Sequence, residues 1–361
     1  RYWVTHFHID GFRFDLASIL GRDPSGRPLS NPPLLEQIAE DPLLRDVKLI
    51  AEAWDLGGAF QVGSFPGQRW AEWNCHFRDD VRRFWRGDPG VTGAFATRLC
   101  GSADLYETNA ETPLNSINFV TCHDGFTLND LVSYTRKHNE TNGEGNRDGV
   151  DENFSENNGV EGPTGDPEIE AIRLRQIRNT LASLLLSRGV PMILGGDEFR
   201  RTQHGNNNAY CQDNETGWVD WSRLGSDDDL TDFIGELTRL RQRCPQLKPH
   251  RWVEGKRADG SYDVQWLTPG GTEMSDADWN FPNSRFLSYV LAAAQEAGEP
   301  LFIALNGADE AVDLTFPQWP GVGRWQCVID TSNGEPNQAA SHPGGHWSAQ
   351  PRSVLAFTGA P

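Results

Sequence analysis

No apolar window in this sequence is long enough to span a bilayer; the longest, Leu181 to Leu194, is broken by Arg188 and Pro191. The opening residues Arg-Tyr-Trp-Val-Thr-His lack the apolar stretch and small-residue cleavage site of a secretory leader. An initiator Met is lacking too, and the chain starts inside what reads as an amphipathic helix, so its true beginning is expected upstream. The six cysteines (Cys75, Cys100, Cys122, Cys211, Cys244, Cys327) form no C-x-x-C pair. That pattern suits isolated reduced thiols in a cytoplasmic protein rather than a disulfide framework or a zinc site. Positive charge is scarce: 32 Lys and Arg stand against 51 Asp and Glu in 361 residues, a net charge of −19. Phosphate binding wants clustered cations, so nucleic-acid and membrane partners are not expected. The plain reading of the excess acid is solubility. No repeat of fixed period is present.

Apolar residues make up 37% of the chain, and they are patterned, which excludes a disordered polymer. The first two thirds alternate strand-like and helix-like segments. Strands are expected at Ile9–Asp15, Val47–Ala51, Ile117–Thr121 and, as a buried run, Val190–Leu194. Helices are expected at Leu34–Leu44, Asp79–Trp85, Ile169–Leu186 and Leu230–Leu240. Such alternation is the pattern of a parallel α/β sheet or barrel. From about residue 246 the texture changes to short strands between Gly, Pro and Asn turns, at Asp263–Leu267, Pro300–Leu305, Trp325–Ile329 and Ser353–Thr358, which reads as an antiparallel β module. Between them, Lys137 to Asp166 is a long polar stretch, of a length that is usually functional or disordered.

Three acids directly follow apolar strands: Asp15, Glu52 and Asp124. In parallel β/α barrels the catalytic groups sit at the C-terminal ends of the strands, on one face. One such acid is readily a helix N-cap. Three converging on one face repel one another, which stability alone does not favour. A carboxylate pair can cleave a glycosidic bond, one acting as nucleophile and the other as general acid. Arg13, two residues before Asp15, points to the same side of a strand and is placed to hold Asp15 as a carboxylate; a simple ion pair is the bland alternative. A rival reading takes His6-Phe7-His8 with Asp15 as a metal site, although the remaining histidines form no second ligand cluster. The Asn/Asp-rich loop lacks EF-hand spacing. Thirteen Trp suit a sugar ligand or, equally, core and interface positions; Trp54 and Trp73 fall near strand ends.

Asp10-Gly11-Phe12-Arg13-Phe14-Asp15 resembles the nucleophile strand of the alpha-amylase family of glycoside hydrolases (family 13). Leu49-Ile50-Ala51-Glu52-Ala53-Trp54-Asp55 resembles its acid/base strand, with Ala53 where the family usually has Pro. Phe119-Val120-Thr121-Cys122-His123-Asp124 resembles the strand of its third, stabilising aspartate. Ala71-Glu72-Trp73-Asn74, Arg82-Arg83-Phe84-Trp85-Arg86-Gly87-Asp88, His138-Asn139-Glu140 with Asn146-Arg147-Asp148-Gly149, and Gly205 to Asn214 are similar to the glycogen debranching enzymes of the isoamylase type.

The resemblance implies the C-terminal part of a TIM (β/α)8 barrel, strands 4 to 8, over residues 1–245. An all-β antiparallel sandwich domain would follow over 246–361. The family's first three strands have no counterpart, and five strands cannot close a barrel. The resemblance further implies Asp15 as nucleophile, Glu52 as general acid/base and Asp124 as stabiliser. Arg13, His123 and Trp54 would bind substrate, with no metal and no cofactor. The polar loop after Asp124 and the Asn206–Asn208 loop would shape the cleft. The activity implied is retaining hydrolysis of alpha-1,6 branches of glycogen or limit dextrin in the cytoplasm. The partner is a branched alpha-glucan, with self-association or a separate N-terminal half left open. Alternatives are an alpha-1,4-acting amylase, a transglycosylase, or a non-catalytic glucan-binding fragment.

Overall fold

The computed structural model describes residues 1–109, 111–226, 230–248, 250–294, 298–333 and 339–361. Five strands form one parallel sheet in sequential order: β1 (Gly11–Phe14), β2 (Lys48–Ala51), β3 (Trp70–Asn74), β4 (Ser116–Asn118) and β5 (Val190–Pro191). Gly11 is demanded by the closeness of the first pair: a Cβ there would stand 2.9 Å from that of Lys48. The connections carry helices α1 (Tyr2–Phe7) before the sheet, α2 (Pro33–Glu40) between β1 and β2, and α3 (Cys75–Arg86), α4 (Thr92–Leu99) and α5 (Ala103–Tyr106) between β3 and β4. α6 (Leu128–Leu131) and α7 (Pro167–Leu185) lead to β5, and α8 (Thr231–Arg243) follows it.

Local chemistry sets the helix ends. The Asn74 side chain accepts from Phe77 N to cap α3, and Gly87 at φ 89° ends it. Asp166 caps α7 through Glu168 N and Ile169 N, with Pro167 in the first turn. The helix expected over Leu34–Leu44 stops at Glu40, because Pro42 pushes Asp41 out of the helical region.

The strand at Trp70–Asn74 was not foreseen. Its buried Glu72 and Asn74 break the apolar run. Both are satisfied by residues of other segments: Glu72 accepts from Gly63 N and Phe65 N, and Asn74 donates to the Ser102 and Ser116 hydroxyls. Val190–Leu194 differs from the buried strand expected. Only Val190 and Pro191 pair, Val190 is exposed, and residues 191–194 are half-buried. The reason is position: among the described residues β5 is an edge strand with no neighbour on its far side, and β1, half-buried throughout, is the other edge.

The C-terminal part is antiparallel, with a short helix α9 (Asp276–Trp279) after its first strand. β6 (Val264–Leu267), β7 (Phe286–Leu291), β8 (Leu301–Asn306), β10 (Arg324–Asp330), β11 (Ala340–Ser341) and β13 (Ser353–Ala360) make a six-stranded sheet in the order β11-β10-β13-β8-β7-β6. β9 (Val312–Thr315) pairs with β12 (His346–Ala349) in a second, two-stranded sheet. Phe302, Leu314, Phe316, Trp325 and Phe357 fill the core between them. β8 is buried on both faces, which explains its unbroken apolar run. Phe302 and Ala304 face this sandwich core, whereas Leu301, Ile303 and Leu305 join Phe84, Phe95 and Leu184 in a core shared with the helices. Among the described residues no helix is long and apolar enough to cross a membrane.

Arg241 of α8, 7% exposed, ties this helix to the end of α7. Its guanidinium donates to the carbonyls of Leu185 (2.8 Å), Gly189 and Leu247 (3.0 Å), and also to that of Ser187. Burial draws its pKa down to about 10, so these bonds carry a real desolvation cost. Arg241→Met leaves several buried carbonyls without a donor. Urea unfolding of this variant is expected to show a loss of about 3 kcal/mol or more. A loss below about 0.5 kcal/mol would mean that water replaces the guanidinium at no cost.

Candidate active site

β1 and β2 pair in parallel with Phe14 opposite Ala51, so the next residues, Asp15 and Glu52, emerge side by side. The ladder continues past the strands, with Glu52 N donating to Phe14 O at 3.0 Å and Ala17 N to Glu52 O at 2.9 Å. Leu16 then turns at φ 42°, ψ 45°, a left-handed conformation uncommon for leucine. The turn aims Leu16 N at Glu52 Oε2, 2.5 Å away.

Arg13 lies between the two acids. Its Nη1 donates to Asp15 Oδ1, and its Nη2 stands 3.1 Å from Glu52 Oε2. The guanidinium carbon sits 3.8 Å above the Trp73 ring. Asp15 was the partner expected; the contact to Glu52 and the aromatic floor are additions. His123 Nε2 lies 3.6 Å from Asp15 Oδ1 and 3.6 Å from Asp124 Oδ2. The His123 ring is 5.6 Å from that of Trp73. One polar atom each from Asp15, Glu52 and His123 lies within 4.8 Å of the others. The side chains of Asp15 and Asp124 are 63% and 61% exposed, whereas that of Glu52 is 1% exposed. Burial raises the pKa of Glu52 above its usual value. The Leu16 amide and Arg13 pull the other way, and Asp15 and Asp124 push it up further. An acid that holds its proton more tightly than an ordinary glutamate therefore sits beside the exposed Asp15, an asymmetry of the kind that acid-assisted bond cleavage uses.

Of the residues expected in the site, Arg13, Asp15, Glu52, His123 and Asp124 come together. Trp54, half-buried, pairs by an isolated bridge with Phe60 and packs against the core that includes Leu49, Ala51 and Trp73. Trp73 is the aromatic of the site. Register could have found it, since Ala51 pairs with Glu72 and so brings Trp73 level with Glu52.

The metal reading on His6 and His8 does not assemble. His6 packs on the Tyr2 ring in α1, and His8 ends that helix in a left-handed turn. Among the described residues the trio with metal-ligand spacing is Asp15, Glu52 and His123. A cation there would compete with the Arg13 guanidinium already seated on both carboxylates.

The long polar stretch is knit into the site. Gly125 N, next to Asp124, donates to Asn207 O at 2.9 Å. Asn207 and Asn139 exchange two bonds of 2.9 Å, and Asn207 Nδ2 reaches Val150 O and Asn153 Oδ1. Asn206 and Asn208 bond to Asn142 and Asp148. Gly149 is required at this crossing, because a Cβ would fall 2.2 Å from Asn207 Oδ1.

Comparison with known proteins places similar sequences around this arrangement. The family model described as "Isoamylase, C-terminal" matches residues 263–351. A protein named glycogen operon protein GlgX homolog, from Mycobacterium tuberculosis, is 47% identical over 347 residues, covering 92% of this chain and 48% of its own length. A glycogen debranching enzyme of Serratia proteamaculans is 47% identical, covering 91% of this chain and 47% of its own. Isoamylase 3, chloroplastic, of Oryza sativa subsp. japonica is 44% identical, covering 93% and 41%. The chain thus spans about half the length of the curated relatives it matches. Pullulanase type I of Bacillus subtilis, solved with maltose, shares the fold at a TM-score of 0.70 and 21% identity, covering 100% of this chain and 45% of that one. Pullulanase of an Anoxybacillus species, solved with maltotetraose, gives 0.67 at 20% identity, covering 99% and 45%.

The buried acids make a stability prediction. A carboxyl with a raised folded-state pKa binds its proton more tightly folded than unfolded. Its stabilising contribution is present below the usual value of 4.5 and is lost as pH climbs through the raised one. Glu72, pushed up to about 7 by burial, acts in the same sense. Glu52→Gln removes one such group. Its melting temperature relative to the unaltered chain is expected to rise as pH climbs above the usual carboxyl value of 4.5. A difference that stays flat or falls over this range would contradict the raised pKa.

Proposed function

The chain belongs to the isoamylase-type family of glycogen-debranching relatives over the part of them that it spans, and we propose that it is the catalytic portion of a retaining glycoside hydrolase. The substrate we propose is an alpha-1,6 branch of glycogen or its limit dextrin. The observation that carries this reading is the Asp15–Glu52 pair. Its nearest oxygens fall within 4.8 Å, beside the separation of about 5–5.5 Å between the carboxyl groups of retaining pairs, and Arg13 reaches both acids.

In this mechanism Asp15 attacks the anomeric carbon while Glu52 delivers its proton to the leaving oxygen. Glu52, now a carboxylate, deprotonates the water that releases the sugar from Asp15. The raised pKa of Glu52 supports the first step, and the Leu16 amide and Arg13, which favour its charged form, support the second. Asp124 and His123 would grip sugar hydroxyls beside the reacting carbon. The chemistry draws on side chains alone. The linkage preference rests on the relatives' names and on the Asn206–Asn208 and 137–166 loops next to Asp124.

The same proposal takes the five parallel strands as strands 4 to 8 of a (β/α)8 barrel within residues 1–245, followed by a sandwich domain over 246–361. Sequential parallel order, half-exposed edges at β1 and β5, and the likeness to pullulanase folds support it. Six free thiols, five of them buried, support a cytoplasmic setting.

Maltooligosaccharide release from phosphorylase limit dextrin, with unbranched amylose and the Asp15→Asn variant alongside, tests the proposal. Release from the branched substrate only, cut by about 10³-fold or more in the variant while glucan binding persists, is the expected result. Equal action on amylose would favour an alpha-1,4-acting amylase or transglycosylase. Binding without turnover would favour a non-catalytic glucan binder.

A further inference from the structure

Two buried carboxylates outside the catalytic cluster latch two segments onto each other. Asp197, 1% exposed, follows β5. It accepts from the Thr121 hydroxyl through Oδ2 and from Leu128 N at 3.0 Å through Oδ1. Those two donors bracket the turn that carries His123 and Asp124. Asp130, fully buried in α6 just beyond that turn, reaches back the other way. It accepts from Gln203 N at 2.7 Å, Gly205 N at 3.3 Å and the Thr202 hydroxyl. These donors bracket the approach to Asn206–Asn208. Between the two latches lies the 2.9 Å bond from Gly125 N to Asn207 O. Upstream, Arg82 donates to Val120 O at 2.6 and 2.9 Å and to Asn153 O at 3.1 Å.

The turn is therefore fixed on both sides of its two site residues, at Val120 and Thr121 before them and at Gly125 and Leu128 after them. Holding a loop needs only neutral acceptors, and a buried carboxylate is a costly way to supply them. Burial raises the pKa of both acids, that of Asp197 to about 7, which measures the cost. What a carboxylate adds is two diverging acceptors on one short stem, able to hold both ends of a turn at once.

We infer that Asp197 and Asp130 are positioning residues, a reciprocal latch that sets His123 and Asp124 against Asp15 and aligns the Asn206–Asn208 loop beside them. The inference deepens the glycosidase reading and rests on it for its consequence, but the positioning itself is readable without any glucan. His123 and Trp73 provide the gauge, since their rings lie 5.6 Å apart with the turn held.

The experiment is the nuclear Overhauser contact between the His123 and Trp73 rings in the full chain, assigned with His123→Gln. Thr121→Val keeps the shape of Thr121 and deletes one donor; Thr121→Ser restores it; Asp197→Asn alters the acceptor. The contact is expected in the unaltered chain and in Thr121→Ser. It should be lost in Thr121→Val and Asp197→Asn, while the signals of the antiparallel sheets stay in place. Persistence of the contact in both altered proteins overturns the latch. Should Asp197→Asn fail to fold, the Val and Ser pair decides alone. In the limit-dextrin assay the two latch-breaking variants should lose about 10²-fold in kcat/KM, the scale of an ångström-level misplacement, with the pH limb set by Glu52 unmoved. Loss of the ring contact without loss of turnover would retain the latch and remove its catalytic consequence. Absence of turnover in every form, with the ring contact behaving as expected, would count against the glycosidase reading alone.

Discussion

One guanidinium organises the centre of this molecule. Arg13 leaves β1 one residue before its end, lies on the Trp73 ring and reaches Asp15 with one nitrogen and Glu52 with the other. The contact to Asp15 adds little to stability, because an ion pair with so exposed a partner contributes about 0–1 kcal/mol. Its effect is geometric and electrostatic. Two acids that would repel each other at this range share one cation, and that cation is planar, so it fixes their relative orientation as a lysine would not.

Everything needed to place that guanidinium is built from parallel-strand register. β1, β2 and β3 run side by side, so Asp15, Glu52 and Trp73 reach one level from three adjacent strands, with Arg13 two residues behind Asp15. β4 delivers the His123–Asp124 turn, and α3 anchors the chain ahead of it through Arg82. The open edges follow from the same architecture. A parallel sheet ordinarily covers both faces and closes or caps its margins, and here β1 and β5 stay half-exposed. The antiparallel module is no loose appendage, since one core runs from Phe84 and Phe95 through to Leu287 and Leu305.

Much of this was legible in the sequence where one local signal sufficed. Asp15, Glu52 and Asp124 each stood at the end of an apolar run, and the change of texture near residue 246 marked the antiparallel part. Elements whose signal is divided were missed. Trp70–Asn74 alternates apolar residues with a buried Glu and Asn that are satisfied only by partners distant in sequence. β7 has no such local signal in its own residues, although the Phe281–Ser284 turn, with Pro282 and Asn283, stands just ahead of it. Val190–Leu194 reads as buried from composition, yet its burial depends on a neighbouring strand that composition cannot report. Closeness of Trp54 to Glu52 is visible in sequence, whereas that of Trp73, which runs across β2 and β3, is not. The latching aspartates were invisible for the same reason: Asp197 and Thr121 meet from opposite ends of a long polar excursion.

The central claim is that Asp15 is the attacking carboxylate and Glu52 the proton donor. The most direct measurement is covalent trapping with an alpha-glucosyl fluoride whose second step is slowed by fluorination of the sugar ring, followed by peptide mass mapping. The account predicts one glycosyl adduct, on the tryptic peptide Phe14–Arg22, at Asp15. An adduct on the peptide bearing Glu52 or Asp124, or none from a chain that binds glucan, would contradict it.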